Sequence, residues 1–507
     1  MPVGDGTGKQ SWNRNVVTTF AYRCTFAFSF AMWNFGNGST YIYLLEHKSN
    51  KLVGVAQAVQ GTLTATAALP AGWLADKYRR DTILRWAGGI SAAGIVAMVA
   101  CVLVDQQPLD LWFLHTDLKY MLFCLSVAMA GTSLGFSQSA VEAILGDSVA
   151  TGSRSKIYNN LFAAMAAVGA LGPLVSSALF LGSGNDWDLH SLQIVLLAGM
   201  VASILPTIAL FMFDDDKALG AVSQGLLAND QQAQAAADEE ARLAEEAKQE
   251  MSRQKRWGVP IGFLPYILVA SDCTAGLGAG MTIKYFPIWL YDIVGLSPSV
   301  VNYVQAAVPF VLAAFAILSQ KISAQTGRVQ TILLVRFLAV ATLLVMALCE
   351  WTWKLPYIIL PLYTVRFALA NCTYAVSKTI LNDYVPKESR ARWNSVESIM
   401  QFGWSGSAII GGLLIDHYSF QAAFLGTAAV QLFSVLFLIP LLPLVPIEEK
   451  GVFDGGEAPP VIAEAIARQR SRQLSQEVQD QSGGAPASPK AYADAVREPL
   501  LSRSLSH

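Results

Sequence analysis

The chain has 507 residues, 53% of them hydrophobic and only 14% charged, with a formal net charge of −2. Ordinary soluble domains carry roughly 25% charged residues. Here the apolar residues gather into runs of about 20 or more, the length a helix needs to cross ~30 Å of hydrocarbon. These features largely exclude a soluble enzyme, a nucleic-acid binder and a disulfide scaffold, and they predict an all-α integral membrane protein.

Residues 1–15 are polar, and the apolar run that follows is too long for the core of a signal peptide, so no cleaved segment is expected. Six spans are expected at 16–45, 52–75, 81–104, 118–147, 156–182 and 190–213, forming an N-terminal bundle over 16–213. A polar linker, 214–258, contains an alanine- and charge-rich stretch suited to one or two helices at the membrane surface. Six more spans follow at 259–291, 298–320, 329–350, 356–384, 393–415 and 420–445, in a C-terminal bundle over 259–447. The Gly/Pro/Ser/Gln-rich tail, 448–507, reads as disordered. Short loops on one side carry thirteen Lys and Arg, against four on the other (Lys48, Lys51, Lys119 and Lys354). The positive-inside rule then places both termini and the linker in the cytoplasm. All six cysteines fall in apolar runs and read as small buried hydrophobes.

The two halves repeat. ILGDSVATGSRSK at 144–156 aligns with ILNDYVPKESRAR at 380–392, and Tyr43, Val53, Gln57 and Ala58 align with Tyr291, Val301, Gln305 and Ala306. Two six-span halves in the same orientation imply a pseudo-twofold axis along the membrane normal, with a solvated site between them.

Between spans 2 and 3 stands Gly72-Trp73-Leu74-Ala75-Asp76-Lys77-Tyr78-Arg79-Arg80. It resembles the signature loop of the major facilitator superfamily, and the resemblance extends over spans 1 to 12. The fold it implies is twelve helices in two pseudo-twofold-related bundles. A glycine at 72 would let spans 2 and 11 approach. Asp76 could meet the positive start of span 11 near Trp393 and Asn394, and Arg79 or Arg80 could reach Asp147, with Arg154 nearby. In the superfamily this cluster latches the outward-facing state, so the resemblance implies a gating role. Gly169-Ala-Leu-Gly172-Pro173 in span 5 resembles the signature of the drug/proton antiporter branch, with Ser176 and Ser177 where that pattern continues in glycines. Packing or a kink is the other reading of those residues.

Ionisable residues inside a membrane are costly and mark functional candidates. The resemblance implies a central cavity lined by spans 1, 4, 7 and 10, and each carries one charge in its cytoplasmic half: Arg23, Glu142, Asp272 and Lys378. The repeat sets Glu142 against Lys378 and Arg23 against Asp272, predicting a quartet that pairs to close a cytoplasmic gate and parts on arrival of a proton or substrate. Static pairs, with Arg23 snorkelling, are the alternative. Arg366 lies ten residues into span 10, about 15 Å from its outer end, where a guanidinium suits an anionic group on the substrate. Asn34, Asn371 and Gln138 supply amides for substrate contact. Glycines 276, 278 and 280 are expected to loosen span 7, Lys284 to serve the outer vestibule or reach the surface, and Arg336 to act near the cytoplasmic interface. Trp33, Tyr285, Phe286 and Trp289 suit stacking on a substrate or simple packing.

No phosphate-binding loop, metal-ligand spacing or nucleophile elbow in a strand–turn–helix context is present, so no cofactor, metal or enzymatic activity is expected. The expectation is a monomeric secondary transporter of a small organic solute, proton-coupled through Glu142 and Asp272, whose partners are its substrate, protons and the lipid bilayer. A uniporter is the alternative mode, and a transporter-like sensor acting through linker and tail is the alternative class. The plasma membrane and a vacuolar or endosomal membrane remain equal choices.

Overall fold

A computed structural model describes residues 3–4, 10–11, 13–34, 36–111, 114–149, 154–217, 255–256, 259–384, 390–442 and 444–445. The expected helices at the membrane surface and the tail lie outside these residues. The fold is all-α, with twelve membrane spans in two bundles. Span 1 is Arg14–Trp33 followed by Asn37–Leu45, span 2 Asn50–Lys77, span 3 Arg80–Leu103, span 4 Leu118–Asp147, span 5 Arg154–Gly182 and span 6 Leu189–Phe211. Span 7 is Leu264–Ile283 with Phe286–Asp292, span 8 Pro298–Thr326, span 9 Arg328–Leu348, span 10 Pro356–Asn371 with Tyr374–Tyr384, span 11 Arg390–His417 and span 12 Phe420–Leu438. A short antiparallel hairpin, Pro108–Leu111 with Leu114–Asp117, connects spans 3 and 4.

Local chemistry sets the limits. Asn13, Ser49, Asp117, Asp188 and Ser419 each accept a backbone N–H from the first turn of the helix they open, which satisfies donors the helix cannot. Pro298 and Pro356 start spans 8 and 10, where a missing N–H costs nothing. Spans 8 and 9 turn about Gly327 alone, whose φ of 99° would strain any side chain.

Ten helices are apolar enough to be recognised as membrane-crossing by length and composition. Span 1 falls short because Arg23 lowers its mean hydropathy, and the side chains at the start of span 11 lie outside the described residues. Outward-facing Leu69, Val96, Phe162, Val201 and Phe310 are exposed and form a lipid-facing surface. This is an integral, multi-pass membrane protein.

Two faces are distinguished below. Asn13, Lys217, Leu264 and Val445 mark the linker face; Leu45, Asn50, Asp292 and Asp416 mark the far face. The bundles meet where span 2 runs antiparallel to span 11 and span 5 to span 8. Among the described residues, the one apolar cluster shared by both bundles lies in the far half and includes Trp33, Tyr41, Tyr285, Phe286, Trp289 and Phe424. The clusters nearer the linker face belong to a single bundle each. Glycine makes the far-half contact possible: a Cβ at Gly61 would stand 1.9 Å from Ser405 Cβ, and one at Gly412 2.5 Å from the Asn50 carbonyl.

Candidate substrate cavity and its gates

A cavity of about 400 Å³ opens in the C-terminal bundle, and every residue lining it comes from that half. Its floor is span 7, where Ala275, Gly276 and Ala279 present little bulk. Asp272, Arg336, Arg366, Asn371, Trp404 and Gln431 complete the wall. The counterpart cavity in the N-terminal bundle is about 50 Å³ and lined by hydroxyls such as Ser29, Ser91, Ser126, Ser133 and Thr207. There Ser126 and Ser133 donate to the carbonyls of Gly94 and Ala87, and Ser91 bonds Thr207.

Arg336 donates through Nη2 to Asp272 and through Nη1 to Ser271 Oγ at 2.9 Å. Arg366 is 3% exposed. Its Nη2 donates to Gln431 Oε1 at 3.4 Å, its guanidinium lies 5.3 Å from the Phe286 ring centre, and its Nε has no acceptor among the described residues. Among the described residues no carboxylate pairs with it.

The expected quartet is instead two pairs in separate bundles. Arg23 meets Glu142 at 2.7 Å, and Asp272 meets Arg336, a residue expected to act at the interface. Lys378 Nζ lies over the Tyr374 ring at 5.6 Å. The repeat aligns residues across a pseudo-twofold axis, and such equivalents occupy opposite bundles; the salt bridges form between neighbouring spans of one bundle. Arg336 stands eight residues into span 9, about 12 Å from its start, a depth that puts it within the membrane.

Asn371 reaches the cavity, though its amide turns back to the Phe367 carbonyl at 2.8 Å. Gln138 is exposed and touches no described cavity. Asn34 lies elsewhere. It ends the first segment of span 1, donates to Gln60 at 3.0 Å, and its Oδ1 accepts from Lys284 Nζ at 2.6 Å. Lys284, expected at the surface or vestibule, is buried at the break in span 7 and also donates to the Asn34 carbonyl at 3.2 Å. The breaks in spans 1 and 7 are repeat equivalents, and they join the bundles deep in the protein. Of the glycines expected to loosen span 7, Gly276 opens onto the cavity, while Gly278 and Gly280 serve close packing: a Cβ at Gly280 would stand 1.8 Å from the Trp404 carbonyl. The break itself falls just before Pro287. Trp33, Tyr285, Phe286 and Trp289 are all buried in the shared core.

At the far face the bundles are tied by polar contacts that sequence reasoning missed. Asp416, at the end of span 11, accepts the backbone N–H of Asn50 at 3.0 Å and of Lys51 at 2.7 Å, and the Asn50 amide at 2.9 Å. These are orphan donors of the first turn of span 2. Asp292 accepts from Lys48 at 2.6 Å and Tyr43 at 3.1 Å, and the Trp187 indole donates to the Leu296 carbonyl at 2.8 Å. A signal for Asp416 was present: Gly412-Leu-Leu-Ile-Asp416-His-Tyr418 repeats the Gly-x-Leu-x-Asp-x-Tyr spacing of Gly72 to Tyr78.

Residues 22–392 match the family model described as Major Facilitator Superfamily. The chain belongs to the major facilitator superfamily. No curated protein sequence matches it. Among solved structures, this facilitator is similar to a bacterial homologue of the iron transporter ferroportin in its inward-facing state (13% identity, TM-score 0.62, 85% of this chain and 99% of the other). It is also similar to the xylose transporter of E. coli in a partially occluded inward-open conformation (12%, 0.59, 85% and 99%). A third match is a peptide transporter in complex with alafosfalin (14%, 0.57, 87% and 96%). At these identities the likeness is one of fold.

In this facilitator the signature loop engages its own bundle. Arg80 Nη1 meets Asp147 Oδ2 at 2.5 Å, while Arg79 reaches Asp81 at 3.1 Å and Asp216 at 2.9 Å. The side chains of Asp76 and Arg154, and of 390–401 at the start of span 11, lie outside the described residues. No described atom comes within 4 Å of a Cβ placed on Gly72. In span 5, Gly172 packs so closely on span 1 that a Cβ would stand 2.5 Å from the Phe28 carbonyl, and Gly169 faces Ala27 at 3.5 Å. Pro173 lies within the helix without interrupting it. Ser177 donates to the Ser299 carbonyl of span 8 at 3.2 Å, where the antiporter pattern would have glycine.

Proposed function

We propose that this facilitator is a secondary transporter that moves a small organic solute by alternating access. The observation that carries this reading is the 400 Å³ cavity with charged walls, set beneath a far face that contacts between the bundles hold shut. With the linker face in the cytoplasm, as the distribution of Lys and Arg favours, this is an inward-facing state. The linker over 214–258 and the tail over 448–507 then lie in the cytoplasm, and one chain suffices for the cycle.

Protons are the coupling ion this reading favours. Protonation of Asp272 would remove the charge that holds Arg336 and release a guanidinium into the cavity; Glu142 stands in the same relation to Arg23. One structural neighbour is described as a D-xylose–proton symporter. The alternative mode is a uniporter, favoured by the fact that both salt bridges are complete within their bundles. The antiporter branch draws only on Gly169, Gly172 and Pro173, whose contacts are those of helix packing.

The test is proton flux in liposomes containing the purified protein, against pooled metabolites and drugs, with Glu142→Gln and Asp272→Asn alongside. Solute-dependent proton movement that one variant abolishes is expected. Solute flux indifferent to a pH gradient in all three proteins would leave the uniporter.

A further inference from the structure

Resting on the transport reading above, we infer that the cavity in the C-terminal bundle selects organic monoanions with an apolar body, and that Arg366 is their receptor. The charges on the wall decide the sign. Arg336 and Arg366 stand against Asp272, and Asp272 is already engaged by Arg336. One positive charge is left over, and it belongs to the more deeply buried of the two arginines. Gln431 offers it a neutral oxygen at 3.4 Å and Phe286 the face of a ring. Both interactions orient the guanidinium and neither neutralises it. A buried cation without a counter-charge is costly, and its Nε has no acceptor among the described residues. A bound anion supplies both what the charge and what the donor lack. The planar fork of Arg favours a group that offers two oxygens side by side, a carboxylate or a sulfonate.

A single negative charge follows from the same count. A second anionic group in the cavity would face the Asp272 carboxylate or have to displace it from Arg336. A phosphate monoester, which carries about −1.5 to −2 at neutral pH, meets the same obstacle. The body of the ligand is set by the rest of the wall. Ala275, Gly276, Ala279, Ile283, Phe367 and Trp404 offer carbon surface and a ring face for an apolar body, beside the polar groups of Asn371, Thr373, Tyr374 and Gln431. The volume falls within the ~300–1,000 Å³ range of pockets that hold drug-sized molecules.

The experiment uses the full chain and three naphthalene probes of one shape: 2-naphthalenesulfonate (monoanion), naphthalene-2,6-disulfonate (dianion) and 2-naphthol (neutral). Binding is read by calorimetry in detergent, and flux in proteoliposomes. The monoanion is expected to bind at least tenfold more tightly than either of the others. Arg366→Gln should remove that preference, bringing the affinity for 2-naphthalenesulfonate down to that for 2-naphthol measured in the same variant. Arg366→Lys should keep the preference for charge and lose part of the affinity. Asp272→Asn, which frees Arg336, should raise dianion affinity about tenfold, a gain that a misfolded variant cannot produce. Equal binding of neutral and monoanionic probes, or no dianion gain in Asp272→Asn, overturns the inference. The transport reading fails separately: monoanion binding without flux would leave the site and remove the transporter, whereas flux of neutral solutes without charge preference would do the reverse.

Discussion

Spans 2 and 11 lie antiparallel along the bundle interface, and both end in the same spacing of residues, Gly72 to Tyr78 at the linker face and Gly412 to Tyr418 at the far face. At the far face the acid of that spacing crosses between bundles, where Asp416 takes two backbone N–H groups and an amide at the start of span 2. At the linker face the described side chains of the matching loop stay at home, with Arg80 on Asp147 and Arg79 on Asp81 and Asp216. A helix start is a ready anion site because its N–H groups are unpaired and its dipole is positive. At the far face Asp416 fills that site; the side chains of the matching acid, Asp76, and of the start of span 11 lie outside the described residues. In the transport cycle proposed above, an acid at each end would give one clasp per face.

This comparison can be broken most forcefully at Gly61. Gly61→Val places a side chain where Ser405 already stands, so the far-closed state should become inaccessible. Solute flux should fall more than tenfold, and labels on the far ends of spans 2 and 11 should move apart in a spin–spin distance measurement. Unchanged distances would mean that the contact is not what holds the face shut. Asp416→Ala removes three accepted hydrogen bonds and should weaken closure by about 1–2 kcal/mol, a five- to thirtyfold shift in population. The same distance measurement should show a second, open population; Asp416→Asn should show less of it, because an amide keeps one acceptor.

Smaller effects are expected at the rim. Lys48 is half-exposed, and loss of its pair with Asp292 should cost about 0.5 kcal/mol or less. The bond to Asp292 raises the Lys48 pKa. Its contribution to closure is therefore complete below the ordinary lysine value and is lost only as the pH rises through the higher folded value. Burial pushes the Glu46 carboxyl up, but the hydrogen bond it accepts, from the Asp117 N–H at 3.3 Å, stays within the N-terminal bundle and gives closure no pH dependence. Closure should therefore weaken only in strong base, as Lys48 loses its proton, and Lys48→Met should lack that step; a step that persists in Lys48→Met would assign it to another group.

Much of the fold was legible because membrane spans are punctuated by chemistry. Span 4 begins after the Asp117 cap and ends at Asp147, as expected, and span 10 runs 356–384 with its proline at the start. The break in span 1 falls among Asn34, Gly36 and Asn37, residues of poor helix propensity. Glycines 276, 278 and 280 were expected to loosen span 7, yet Gly278 and Gly280 pack on spans 12 and 11, and the break falls further on, just before Pro287. The candidate site was legible as a list of charges and illegible as a set of partners. Arg366 stands at its expected depth, and Arg80 finds Asp147. Asp272 finds Arg336 and not Arg23, its equivalent in the repeat, because helix rotation decides which neighbour a charge meets, and a repeat alignment carries no information about rotation. Lys284 was misplaced for a related reason: a lysine near a span's outer end reaches water unless the opposite bundle covers it, and the Asn34 break does.

The most direct test joins the far face covalently. Lys48→Cys and Asp292→Cys, whose native side chains meet at 2.6 Å, would be bridged by a short bifunctional thiol reagent in proteoliposomes, with 2-naphthalenesulfonate flux measured before and after. Alternating access predicts that the bridge stops flux, that cleaving it restores flux, and that probe binding from the linker face persists throughout. Flux that continues with the bridge in place would contradict the account, since the solute would then cross without the far face ever opening.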